Sequence, residues 1–200
     1  MNKINIFGYL VVILMIMLII KMYFESDSYN LKCVIASADG NTYCIRERKN
    51  LDQAANLLAE TSQKLKTFVN HLQQKFPDRE EIQRIVEGFD PKKIKETLPT
   101  SEHTAYSENK GEKIALCLNK NKKEEAQTQL IDANTLMFVA LHEVSHVGNK
   151  SIGHEKDFWN TFKFILNEAV DFGIYLPVDY KKKPVDYCGD KITDSPFYDM

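Results

Sequence analysis

Two imidazoles four residues apart, with a glutamate beside the first, stand at His142-Glu143-Val144-Ser145-His146. On a helix, positions i and i+4 lie on one face a turn apart, so both rings can reach a single ion. Glu143 is then placed to take a proton from a water in an open coordination position and to deliver it to a leaving amine. Zinc is the ion this chemistry calls for, since it polarises a carbonyl and brings the pKa of its water close to neutrality. The flanking Phe138, Val139, Leu141, Val144 and Val147 are apolar, which describes a buried helix with one polar stripe rather than a solvated helix. Without a metal, such a stripe leaves several buried polar groups to be satisfied by other means.

A catalytic zinc takes three protein ligands and leaves the fourth position to water. His154 is the preferred third ligand: Gly148 can end the helix and let the chain turn back, and Gly153 permits close backbone approach just before it. Glu155, Asp157 and Glu168 are carboxylate alternatives, and Glu168 would give a set of two His and one Glu. His71 falls in an amphipathic helical segment and His103 in a polar loop, so both read as surface residues. Phe158 and Trp159 read as packing residues that seat the last helix on the helix of the HExxH motif. Tyr187 is one of nine tyrosines and receives no catalytic role.

These residues need a scaffold. Leu31–Ala36 and Thr42–Arg46 are β-like runs separated by Asp39-Gly40, a hairpin signal. Asn50–Lys75 carries apolar residues at helical spacing and stops near Pro77. Asp78–Phe89 predicts a second helix with Asp78 as N-cap, and Pro91–Leu98 predicts one more turn or two. Thr104–Ser107 and Lys113–Leu118 predict a hairpin turned at Asn109-Lys110-Gly111. Lys113–Leu118 is read as an ordinary core strand, with a substrate-holding sheet edge as the less favoured reading. Asp132–Val147 and Glu155–Phe172 predict the last two helices, and the tail from Gly173 onward reads as irregular.

At the other end, Phe7–Ile20 holds no charged residue, and the apolar stretch of residues 4–24 has the length that crosses a bilayer. It predicts an uncleaved signal anchor, because the apolar run is long for a signal peptide and no small-x-small cleavage site follows. A linker over residues 25–30 then leads into one domain spanning residues 31–200. Lys3 and Lys21 flank the span on opposite sides, so the charges leave its orientation open. A net charge of −2 and a pI near 6.2 give no electrostatic footprint for nucleic acid. The basic runs Lys120–Lys123 and Lys181–Lys183 are short and read as solvated loops. Cys33, Cys44, Cys117 and Cys188 form no C-x-x-C pair, which argues against a cysteine zinc site; three disulfide pairings and free thiols all stay open.

The segment Leu141–Trp159 (LHEVSHVGNKSIGHEKDFW), with Tyr106–Leu118 and Tyr187–Pro196, resembles the WLM-type and SprT-related zinc metallopeptidases. The match is closest to those encoded by large DNA viruses and covers roughly the C-terminal half of the chain. The resemblance implies an α+β, zincin-like domain with a small antiparallel sheet and an HExxH helix. It also implies that His142, His146 and His154 bind zinc, that Glu143 is the general base, and that the substrate is a protein or peptide. Here seven residues separate His146 from His154, a longer turn than in cellular members. With the anchor, the resemblance points to a single-pass protein of a host or virion membrane. The rival expectations are a non-catalytic zinc-binding virion or membrane protein and a protease of DNA–protein crosslinks.

Overall fold

A computed structural model describes residues 6–26, 30–121 and 129–199. The first helix, α1 (Ile6–Phe24), buries none of its residues and is the one described helix long and apolar enough to cross a membrane. Residues 4 and 5 of the expected anchor, part of the linker and half of the Lys120–Lys123 run lie outside the described residues. Strands β1 (Lys32–Ile35) and β2 (Thr42–Ile45) pair antiparallel around Gly40, which takes the left-handed φ of 72° that the turn requires. Cys33 faces Cys44 across this ribbon and the two form a disulfide.

Helix α2 (Leu51–Lys75) forms because Ala54, Ala55, Leu58, Leu65, Phe68, Val69 and Leu72 recur on one face, and all of them are buried. It ends at Phe76, driven out of helical geometry by the proline that follows. Helix α3 (Glu80–Gly88) starts later than expected: Arg79 rather than Asp78 holds the N-cap position, and no side chain caps it. The acidic first turn, Glu80 and Glu81, suits the helix N-terminus without that cap.

The expected helical turns at Pro91–Leu98 shrink to one 3-10 turn, Pro91–Lys93, capped by Asp90, and the chain then extends as β3 (Ile94–Glu96). This strand lies parallel to β5 (Lys113–Leu116), whose other side pairs antiparallel with β4 (Ala105–Glu108). The sheet is therefore mixed, in the order β3-β5-β4, and not purely antiparallel. The segment Lys113–Leu118 is accordingly no sheet edge: its strand sits in the middle with both sides paired.

Helices α4 (Ala133–Gly148) and α5 (Lys156–Asp171) pack on each other, and α4 also lies against α2, α3 and β4. Asp132 caps α4, accepting from the Thr135 amide at 2.9 Å. The tail is more ordered than expected. Strands β6 (Val185–Tyr187) and β7 (Asp190–Ile192) form a ribbon turned at Cys188 and Gly189, both with positive φ. A disulfide joins Cys188 to buried Cys117, just past β5, and the Cys188 amide donates to the Asn119 carbonyl at 3.0 Å. Such tail ordering leaves little trace in hydrophobic periodicity, because its strands are three residues long.

A polar knot underlies the sheet. Glu96 is buried beneath Arg46 and Arg48: its carboxylate accepts from the Arg46 amide at 2.7 Å and pairs with both guanidiniums. Arg46 also donates to the Thr97 carbonyl at 2.7 Å, and Arg48 to Asn119 at 2.6 Å. The knot ties the β1–β2 ribbon to β3 and to the end of β5.

Candidate metal centre

Helix α4 carries His142 and His146 on one face, and the loop after it returns His154 to the same place. The three Nε2 atoms lie 3.1, 3.1 and 3.0 Å from one another. They form a group that could hold a metal ion. Ligands about 2.0–2.1 Å from a tetrahedral ion stand about 3.3 Å apart, so the three nitrogens fit that arrangement. Three neutral rings whose Nε2 atoms converge cannot all satisfy one another by hydrogen bonding, whereas a cation satisfies every lone pair at once.

The carboxylate alternatives do not belong to this group. Glu168 is buried and pairs with Lys75 at 2.6 Å. Asp157 accepts from Ser151 Oγ at 2.8 Å, and exposed Glu155 precedes the first turn of α5. His103 is exposed, and His71 stacks on Phe172 with centroids 4.6 Å apart. Tyr187 is buried; its hydroxyl accepts from the Cys117 amide at 3.0 Å, a structural use.

The helix ends at Gly148, as expected, and this glycine has a further role: a Cβ there would meet Ile85 of α3 at 2.9 Å. It is small so that the two helices can touch. Gly153 has open space around it and instead takes a φ of 88°, which serves the turn into His154.

Phe158, the first large apolar residue of α5, packs against all three imidazoles. Its ring stacks on His146 with centroids 4.2 Å apart and meets His142 and His154 edge-on at 4.9 and 4.8 Å. Trp159 lies 5.7 Å from His154, centroid to centroid, and stays partly exposed. The expectation that this pair seats α5 on α4 holds for Phe158, which also fixes the ring orientations.

Burial dominates the electrostatics. Desolvation, helped by the neighbouring histidines, holds His142 down at about 3. Desolvation followed by His154 and Lys110 holds His146 down at about 4. Burial alone pushes Glu143 up to about 8. In the metal-free chain, the histidines thus favour the folded state above their ordinary 6.5 and lose that contribution as pH falls. Glu143 favours it below its ordinary 4.5 and loses its contribution as pH rises toward about 8. Between 4.5 and 6.5 two histidines oppose one glutamate; above 6.5 the glutamate acts alone. These three groups together favour the metal-free fold most near pH 6.5. Thermal midpoints that climb steadily from about pH 5 to 8 would contradict this.

No family model matches the chain. An uncharacterized protein of Acanthamoeba polyphaga mimivirus is 28% identical over 182 residues, covering 88% of this chain and 90% of that one. An uncharacterized protein of Invertebrate iridescent virus 6 is 39% identical over 62 residues, 31% of this chain and 34% of the relative. Among solved structures, the chain is similar to Wss1 from Saccharomyces cerevisiae, with a TM-score of 0.45 and 22% identity. That alignment covers 62% of this chain and 82% of that one.

Proposed function

We propose that this chain is a zinc-dependent peptidase in which His142, His146 and His154 hold the metal and Glu143 is the general base. The observation that carries the reading is the convergence of three ring nitrogens within 3.1 Å, two of them on α4, where the buried Glu143 follows the first. Zinc held there supplies the Lewis acidity that polarises a scissile carbonyl and acidifies water. Glu143 takes the proton of the attacking water and passes it to the departing amine. The low basicity of His142 and His146 keeps these rings neutral, which is the state that ligates a metal. Phe158 excludes water from the protein side of the rings.

An extended peptide can add to this sheet only at β3 or β4, since β5 is paired on both sides. Strand β4 packs beside α4, so it is the edge from which a peptide reaches the histidines. A chelator should abolish cleavage of an unfolded protein such as casein, and added zinc should restore it. Cleavage that persists in chelator would overturn the reading. Zinc binding without any turnover would favour the non-catalytic alternative, and salt-dependent binding to DNA would favour the crosslink protease.

The same proposal takes α1 as a single-pass anchor. At about 1.5 Å per residue its 19 residues span close to the about 30 Å of a hydrocarbon core. Disulfides are usual in oxidising compartments, so the two found here support a domain on the lumenal or exterior face. Protease added to sealed microsomes should leave the domain intact, and its digestion would put the domain in the cytosol.

A further inference from the structure

The segment from Asn149 to Gly153 has no regular structure, yet it must deliver His154 to a point fixed by two residues of a rigid helix. Its anchor comes from elsewhere in the chain. Lys110, in the turn between β4 and β5, donates from Nζ to the Asn149 carbonyl at 2.7 Å and to the Ser151 carbonyl at 2.9 Å. It also reaches the His146 carbonyl at 3.4 Å. One ammonium therefore satisfies a carbonyl of the last helical turn and two of the loop that follows, at the end where the helix dipole favours a cation. Arg84 of α3 covers the neighbouring Gly148 carbonyl at 2.6 Å. On the loop's other side, Ser151 Oγ accepts from Asn149 Nδ2 at 2.8 Å and donates to Asp157 at 2.8 Å.

The backbone at Lys110 marks it out. Its φ is 57°, a left-handed conformation that side chains other than asparagine and glycine seldom take. The turn has little freedom to move. A Cβ on Gly88 would come within 2.2 Å of the Lys110 carbonyl, and one on Gly111 within 2.4 Å of the Gly88 carbonyl. A lysine held in a glycine-like conformation, on a turn pressed against the end of α3, points its ammonium at the loop between the second and third histidines.

We propose that Lys110 is a positioning residue for the metal centre, acting through His154 by clamping the Asn149–Gly153 loop to the end of α4. The clamp also couples the hairpin that carries the free edge β4 to the site that edge would serve. The proposal rests on the zinc reading. It explains how a seven-residue separation can still present an ordered third ligand.

The test measures zinc affinity of the full chain in detergent, by competition with a chromophoric chelator, together with the metal-free thermal midpoint. Lys110→Gly should weaken zinc binding by about 10–100-fold, the usual effect of losing a group that orients a ligand. Its midpoint should stay near that of the wild type, because glycine relieves the left-handed backbone while the ammonium contacts are lost. In a His154→Ala background, Lys110→Gly should change zinc affinity no further, since the group through which it acts is gone. Wild-type affinity in Lys110→Gly, or the same fold loss in both backgrounds, would overturn the proposal. A wild type that binds no zinc would overturn the zinc reading itself and the clamp with it, a result distinct from either.

Discussion

Glu143→Gln is expected to lower peptide cleavage by about 10²–10⁴-fold, the usual contribution of a positioned acid–base group, while leaving the bound zinc in place. The prediction separates chemistry from folding because of where Glu143 sits. It is 4% exposed, and burial holds its carboxyl up at about 8, so near neutral pH the metal-free fold already carries it largely uncharged. An amide of the same shape therefore introduces no new unpaired charge, and the variant should fold as the wild type does. Zinc bound by the three histidines would favour the ionised form of the carboxyl, the form able to take a proton from water. Glutamine has no basic oxygen for this step. Cleavage by Glu143→Gln at the wild-type rate would remove Glu143 from the mechanism, whatever the metal does.

A second large effect is expected far from the histidines. Glu96→Ala leaves the guanidiniums of Arg46 and Arg48 buried without their shared counter-ion. Breaking one side of a buried ion pair typically costs about 3–5 kcal/mol. At about 2–4 °C per kcal/mol for a domain of this size, the midpoint should fall by roughly 10 °C. Desolvation pushes the Glu96 carboxyl up while the two arginines pull it down, so the pairing offsets a cost rather than adding a surplus. Replacing all three charged groups with apolar residues of similar volume should consequently cost less than Glu96→Ala alone. Equal losses in the two variants, measured by thermal unfolding, would refute the view that the damage comes from orphaned guanidiniums.

The contrast between these two sites shows what the sequence made legible. The i, i+4 spacing of His142 and His146 fixes their common face by helix geometry alone, and the apolar residues around them specify burial. The choice of His154 over Glu168 needed only a nearby histidine after two glycines: α4 ends at Gly148, which also admits Ile85, while Gly153 supplies a left-handed turn rather than a close approach. Strand β3 stayed hidden because it offers one apolar residue, Ile94, and a glutamate that is buried only by virtue of arginines 48 and 50 residues away. The pairing of Cys117 with Cys188, 71 residues apart, has no local signature either. Lys110 looked like an ordinary turn residue between Asn109 and Gly111. Only the fold brings its ammonium to the end of α4.

The most direct test of the account is the zinc content of the purified full chain after exhaustive dialysis, compared among wild type, His142→Ala, His154→Ala and Glu143→Gln. One zinc per chain is expected for the wild type and for Glu143→Gln, none for His142→Ala, and a readily lost fraction for His154→Ala. A wild type that retains no zinc, or histidine variants that retain it all, would contradict the claim that these three rings form a metal centre.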